Sequence, residues 1–112
     1  MTSLELGFLE SAFKEWNSLD NSVRIELEGK LLERLLNPRI PSAALRGELQ
    51  NCFKIKSNKY GYRLTYFVDE NSRTLVVLAI GKRERSKVYS ASLKRLAAHL
   101  GEIRKKKTPP PK

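Results

Sequence analysis

Several lysines and arginines lie within or just after short apolar segments in the second half of the chain, some of them two residues apart. Lys54 and Lys56 alternate with apolar neighbours, and Arg63 lies in the segment that follows. In a β-strand, side chains two residues apart share a face at a separation of roughly 6.6 Å. We therefore expect Lys54 and Lys56 to point together, with Arg63 on the polar side of the next strand. Arg83 and Arg85 follow a third apolar run, and local periodicity does not determine whether they join the others.

A group of cations suits the cleavage of a phosphodiester. Attack by a neighbouring 2′-hydroxyl requires removal of its proton, stabilisation of the charge on the phosphorane, and a proton or cation for the departing 5′-oxygen. Arginine also offers two parallel hydrogen bonds to phosphate oxygens. The alternative is an ordinary solvated surface of Lys and Arg, which the spacing alone favours.

The general base is the difficult part of this chemistry. His99 is the only histidine, and its late position predicts a surface or helix-end residue. A lysine with an ordinary pKa of ~10.4 is on the order of 0.05% deprotonated at pH 7. Like charges and burial lower a lysine pKa. We expect slow cleavage of free RNA and a need for help in aligning the 2′-hydroxyl, which can be worth roughly 7–11 kcal/mol.

The net charge of +10 is unevenly distributed. Residues 1–50 carry six Lys/Arg against eight Asp/Glu, and residues 51–112 carry sixteen against four. The second part is therefore strongly basic even without the cations of its last nine residues. Such a bias indicates a polyanionic partner, either nucleic acid or an acidic protein segment. A merely solubilising basic surface is the alternative.

The first part of the chain predicts a strand and two helices. Residues 4–8 alternate as a short strand does, and Leu9, Ala12, Phe13, Trp16 and Leu19 then follow a helical stripe. Val23, Leu27, Leu31 and Leu35 form a second stripe, which Asn37-Pro38 ends. We expect both stripes to lie in the core.

The second part predicts three strands and a helix. Residues 38–50 are an irregular connector, and alternation or continuous apolarity then indicates strands near 53–56, 62–68 and 75–80. The last run is expected to be buried on both sides. Tyr89, Leu93, Leu96 and Leu100 lie along one side of the final helix. The order β-α-α-β-β-β-α predicts an α+β fold, a small antiparallel sheet with an N-terminal helical hairpin and a C-terminal helix, the helices on one face.

Length and composition indicate one small intracellular domain. The 112 residues suit a single domain, predicted over residues 1–103, with a disordered basic and proline-rich tail at 104–112. No apolar run approaches the roughly 20 residues that span a bilayer, and the N-terminus lacks the pattern of a signal peptide. Cys52 is the only cysteine, so no internal disulfide and, with one histidine, no zinc site is expected.

A series of short motifs resembles the RelE toxins of type II toxin–antitoxin systems. The similarity runs from about Leu4 to Leu96 and is carried by Ala12–Trp16, Asn37–Ile40, Leu45–Gly47, Lys54–Lys56, Gly61–Tyr66 and Gly81–Tyr89. The family also implies a fold like that of RelE, ParE and microbial ribonucleases. Phe53 stands where the family commonly has tyrosine, and the loop Ser57–Tyr60 departs from the usual Arg/Ser-rich one.

The resemblance implies a role for each matching residue. Lys54 and Lys56 match the catalytic lysines, one of which would be the general base. Arg63 matches the arginine that holds the reacting phosphate, Arg83 the one that assists the leaving oxygen, and Tyr89 the tyrosine that organises the substrate nucleotide. Further RNA contacts are expected from Arg46, Lys59, Lys82 and Arg85.

The resemblance also implies partners. RelE-like toxins are metal-independent endoribonucleases of the cytoplasm that cut mRNA codons in the ribosomal A site and use no cofactor. Their inhibitor is a RelB-like antitoxin, and the pair contacts operator DNA through the antitoxin. Two alternatives stay open: a noncatalytic nucleic-acid-binding module, and a toxin of the RelE/ParE fold with another target such as gyrase. Gyrase-poisoning relatives share the fold without this Lys/Arg/Tyr set.

Overall fold

A computed structural model describes residues 3–45, 47, 49–82 and 87–107, with backbone alone for 101–107. The predicted order of elements is confirmed. The elements are β1 (Glu5–Phe8), α1 (Glu10–Asn17), α2 (Asn21–Leu36), a short 3-10 helix (Pro41–Ala43), β2 (Cys52–Ser57), β3 (Tyr62–Asp69), β4 (Thr74–Lys82) and α3 (Lys87–Lys107).

The four strands form one mixed sheet in the order β1-β4-β3-β2. β2, β3 and β4 are joined as antiparallel hairpins, whereas β1 pairs with β4 in parallel. The prediction of an antiparallel sheet is therefore wrong for β1. The helical hairpin carries the chain from β1 to the opposite edge, and two hairpin reversals then return β4 beside β1 in the same direction.

Helices cover both faces of the sheet, and the prediction that they share one face is wrong. α1 and α2 pack with Ile55, Leu64 and Val77 in one apolar cluster. α3 packs through Leu96 against Phe67 and its neighbours in a second cluster on the other side. β4 requires this arrangement because its side chains are apolar on both faces, and each face must be removed from water.

The helical hairpin packs largely as its stripes predict. Val23, Leu27 and Leu31 are buried beneath α2, and Ala12 is buried beneath α1. Phe13 is 49% exposed and contacts the ring of Phe8 at the margin of the core, so its assignment to the core is wrong. Because α1 is short and lies close to β4, the small Ala12 faces the sheet and Phe13 is displaced to the side.

The buried side of α3 coincides only in part with the predicted stripe. Val88, Ser92 and Leu96 are buried, whereas Leu93 is 36% exposed and Tyr89 is half-buried. Ser92 replaces an apolar residue on this face because its hydroxyl is hydrogen-bonded within the interface, a contact that apolar periodicity does not reveal. Of the predicted stripe, Leu96 and Leu100 pack against the second cluster, whereas Tyr89 and Leu93 lie at its margin.

The helix α3 continues as far as Lys107, into the segment predicted to be disordered from residue 104. Lys and Arg are good helix formers, and the next proline along the chain is Pro109. Residues 108–112 lie outside the described residues. Within the described part of the chain, no helix contains a stretch long and apolar enough to cross a membrane.

Candidate active site

Lys54, Lys56 and Arg63 lie on the same face of the sheet. Lys56 is the register partner of Arg63, and Lys54 is the partner of Thr65. Directly opposed side chains of an antiparallel pair have Cβ atoms about 4.5–5.5 Å apart. The apolar residues between them, Phe53 and Ile55, point to the helical hairpin instead. The expected grouping of these three cations is confirmed.

The first turn of α3 borders this cationic face. Gly81 is the register partner of Arg63 on β4. A Cβ atom at Gly81 would lie 3.0 Å from Cγ2 of Val88, so the glycine allows the helix to approach the strand. Tyr89 follows Val88 and is half-buried. The chain thus places Tyr89 at the end of the sheet that carries Arg63.

A pair of hydroxyls holds α3 against β3 beside the site. Oγ1 of Thr65 and Oγ of Ser92 are hydrogen-bonded, and both side chains are fully buried. Ser92 also donates to the carbonyl oxygen of Val88 at 2.5 Å. Because Thr65 is the register partner of Lys54, this contact fixes the helix next to the lysine.

Arg63 is half-buried, and its Nη1 donates to the carbonyl oxygen of Tyr62 at 3.2 Å. Lys54 is also half-buried, whereas Lys56 is exposed. Lys56 is therefore more accessible to a ligand than Lys54.

Two further predicted RNA-binding residues lie at the same end of the sheet, in different surroundings. Lys59 is exposed in the β2–β3 turn, with its Nζ 5.3 Å from the ring centroid of Tyr60. Lys82 is exposed and is the register partner of Tyr62, which packs on the side of the helical hairpin. The structure therefore brings Lys82 to the opposite face from Lys54.

Three predicted residues, Arg46, Arg83 and Arg85, lie outside the described residues. Arg83 and Arg85 belong to the segment that joins Lys82 to Lys87. Their proposed roles stay predictions.

The only histidine packs beside Phe67 of β3. Nε2 of His99 is buried and has no hydrogen-bond partner within the described residues, and its ring meets that of Phe67 edge-on at 6.5 Å. The prediction of a surface or helix-end residue is therefore wrong. Phe67 is four residues along β3 from Arg63, roughly 13 Å, and two residues from Thr65, the register partner of Lys54, roughly 6.6 Å. Among the described residues, no group of three or more His, Cys, Asp or Glu could hold a metal ion.

Sequence reasoning missed an ion pair that links the two helical layers. Arg95 of α3 and Glu15 of α1 form an ion pair with two hydrogen bonds, 2.9 and 3.0 Å long. The same groups bind the edge of β4, where Arg95 donates to the carbonyl oxygen of Leu78 and Glu15 accepts from the N–H of Ile80. The only sequence signal was a polar residue within each helix, which also fits a solvated surface.

The arrangement is chemically suited to bind and polarise a phosphate group. Lysine and arginine donors on one face can contact its non-bridging oxygens and stabilise additional negative charge. The fold and this face define a small basic α+β protein with a cationic surface bordered by the first turn of α3, which carries Tyr89.

Comparisons with known proteins identify the family. Residues 6–87 match the family model described as ParE toxin of type II toxin-antitoxin system, parDE. The mRNA interferase toxin RelE of Escherichia coli K12 is 47% identical over 91 residues, which cover 81% of this chain and 95% of that protein. A putative RelE-like toxin protein of Escherichia coli is 42% identical over 92 residues, covering 82% and 96%.

Solved structures agree in fold. A substituted form of E. coli RelE in the free state superposes with a TM-score of 0.78 at 44% identity and covers 84% of this chain and 98% of that chain. RelE in the intact E. coli RelBE toxin–antitoxin complex gives a TM-score of 0.70 at 43% identity, covering 74% and 100%. The chain belongs to the RelE family of type II toxins.

Proposed function

We propose that this chain is an mRNA interferase, a ribosome-dependent endoribonuclease that inhibits translation by cutting messages in the A site. The observation that carries the proposal is the placement of Lys54, Lys56 and Arg63 on one face beside the first turn of α3. A relative 47% identical to this chain, named as an mRNA interferase, supports it.

In the proposed reaction the substrate supplies its own nucleophile. Lys54 or Lys56, in its neutral form, removes the proton from the 2′-hydroxyl, and the oxygen attacks the adjacent phosphorus. Arg63 holds the phosphate and stabilises the charge of the phosphorane. The bond from phosphorus to the 5′-oxygen breaks, and that oxygen takes up a proton from solvent while Arg83 stabilises its charge; the lysine then returns its proton to solvent. The products are a 2′,3′-cyclic phosphate and a 5′-hydroxyl, while Tyr89 organises the nucleotide.

The ribosome would supply the alignment that lysine chemistry needs. At neutral pH a lysine of ordinary pKa is almost entirely protonated, so few encounters with free RNA are productive. Holding the 2′-hydroxyl in line with the leaving oxygen can contribute roughly 7–11 kcal/mol. A toxin with this base is therefore expected to act on a codon whose geometry is already fixed.

A RelB-like antitoxin is the proposed inhibitor. A RelE relative is known in complex with RelB antitoxin. The basic second part of this chain would attract an acidic antitoxin segment, which would cover or displace α3 around Tyr89. The pair would contact operator DNA through the antitoxin, in the cytoplasm.

The test is cleavage of a message whose target nucleotide carries hydrogen in place of the 2′-hydroxyl. We expect the ordinary message to be cut in excess chelator, with ribosomal magnesium separately controlled, to give an upstream end with a cyclic or 3′-phosphate. The toxin should still bind to ribosomes that carry the deoxy-substituted message, but that message should stay intact. Cleavage of that message, or an upstream 3′-hydroxyl, would contradict the mechanism.

A second candidate function is that of a toxin with the same fold and another target. The match to a ParE family model supports it. A third is a phosphate-binding module without catalysis. Arg83→Lys separates cleavage from binding, because it keeps the charge and loses the two-pronged hydrogen bond. Loss of cleavage with retained ribosome binding supports the nuclease.

A further inference from the structure

A groove of about 440 Å³ follows the outer edge of β2. It lies between that strand, α2 and the short helix Pro41–Ala43. Its polar lining comes from Lys30, Glu33, Arg34, Ser42, Lys54 and Lys56. The groove therefore shares both lysines with the candidate active site and extends that site around the edge of the sheet.

The groove carries unneutralised positive charge. Four of its lining residues are cations and only Glu33 is an acid. Lys30, Lys54 and Lys56 have no ion-pair partner among the described residues, where the ion pairs that are seen involve other cations. Cations gathered in a concave surface strengthen one another's field and favour an anionic ligand.

Arg34 lines the groove, and its guanidinium is hydrogen-bonded within the protein. Its Nη1 donates to the carbonyl oxygen of Lys54 at 3.1 Å and to the hydroxyl of Tyr66 at 3.0 Å. That hydroxyl in turn donates to the carbonyl oxygen of Pro38 at 2.6 Å. Arg34 thus fixes α2 against β2.

Lys30 lies one turn before Arg34, on the same side of α2. It is half-buried and lines the groove, with no side-chain hydrogen bond within the described structure. Its ammonium group is therefore available to a ligand.

We infer that this groove binds the RNA nucleotide next to the cleaved linkage, with Lys30 contacting its phosphate; the inference rests on the proposed nuclease function. A strand whose scissile phosphate lies at Lys54 and Lys56 continues past them along the edge of β2. Glu33 and Ser42 are exposed in the same groove. Their oxygens can accept hydrogen bonds from a ribose 2′-hydroxyl or a base amino group, donors that an RNA nucleotide carries beside its phosphate.

The experiment measures cleavage on programmed ribosomes with a set of altered messages. Each message has one neutral 2′-O-methyl methylphosphonate linkage near the cut, and its control has a 2′-O-methyl phosphate at the same place. Lys30→Ala should raise KM roughly tenfold, the effect of one charge-assisted contact, with kcat little changed. Lys30→Arg should restore KM, and Lys94→Ala, which removes an exposed lysine from α3, should behave as wild type.

The decisive result is coupling between Lys30 and one linkage. Neutralising that linkage should raise KM for the wild type but add nothing in Lys30→Ala. If every flanking linkage has the same effect in both proteins, while the wild type cuts normally, the groove is not an RNA site and the nuclease proposal stands. If Lys30→Ala leaves cleavage unchanged and weakens antitoxin binding, the groove is an antitoxin contact, which also overturns the inference. Failure of the wild type to cut any message would overturn both proposals.

Discussion

Lys54 and Arg34 are neighbouring cations, but only the side chain of Arg34 is hydrogen-bonded within the described part of the fold. The guanidinium of Arg34 satisfies a strand carbonyl and a buried tyrosine hydroxyl. Within the described residues, Lys54 and Lys56 make no side-chain hydrogen bond, and the side chain of Arg63 is hydrogen-bonded only to the carbonyl oxygen of the preceding residue. Charge that the fold does not use is available to a substrate.

Alanine substitution of Lys54, Lys56 or Arg63 should therefore separate activity from stability. We expect cleavage to fall by roughly 100- to 10,000-fold, the range for loss of acid–base catalysis. The free energy of unfolding should stay within about 1 kcal/mol of wild type. Single-turnover cleavage and urea unfolding measure the two effects, with Lys94→Ala as the control. Variants that lose stability in step with activity would show a structural role instead.

The β4 strand is the element on which both helical layers converge. β1 pairs with it only as far as Val77, where Leu9 N–H donates to the Val77 carbonyl oxygen. Beyond that point Glu15 and Arg95 bind the strand edge in place of a neighbouring strand. This pair holds the edge from which the chain leaves for Arg83.

Loss of Glu15 should loosen that edge. Glu15→Ala leaves the N–H of Ile80 and the guanidinium of Arg95 without their carboxylate. Because the pair is partly exposed, with side chains 34% and 24% accessible, solvent screening limits the cost to about 1–3 kcal/mol. Urea unfolding beside Glu28→Ala, an exposed glutamate of α2, measures it. Equal midpoints for the two variants would mean that the pair contributes nothing.

The whole molecule is a single sheet between two apolar clusters. Cys52 lies in the cluster beneath α3 and is fully buried. Burial raises the pKa of its thiol from 9.0 to about 12. Burial also raises the pKa of Tyr66, on the other side of the sheet, although Arg34 partly lowers it.

These shifts predict loss of stability in alkali. A group with a raised pKa in the folded state holds its proton while the same group in the unfolded chain ionises. Its contribution is complete below the unfolded pKa and is lost as pH rises from about 9 towards about 12. The unfolding free energy of the wild type should fall in this window by about 1.4 kcal/mol per pH unit more than that of Cys52→Ala. Parallel pH profiles of the two proteins would contradict a buried neutral thiol.

Period-two alternation was sufficient to place Lys54 and Lys56 on one side of β2 and Phe53 and Ile55 on the other, because strand geometry alone sends successive side chains to opposite faces. The spacing of Val23, Leu27 and Leu31 likewise determined the buried side of α2. Periodicity identifies the apolar side of an element and does not identify what covers it. Long-range packing decided that β1 pairs with β4 in parallel and that α3 takes the face opposite to the helical hairpin.

The same limit explains which parts of the site were predicted. The cations of β2 and β3 lie side by side because a short turn joins the two strands, so that nearby residues in the sequence determine how the strands pair. Lys82 turned to the other face because its register with Tyr62 depends on the bulge between β3 and β4. Lys30 is 24 residues from Lys54 along the chain, and only the packing of α2 against the edge of β2 brings both to one groove. Residue type and spacing determined the chemistry available to this protein, and tertiary packing decided which charges share a surface.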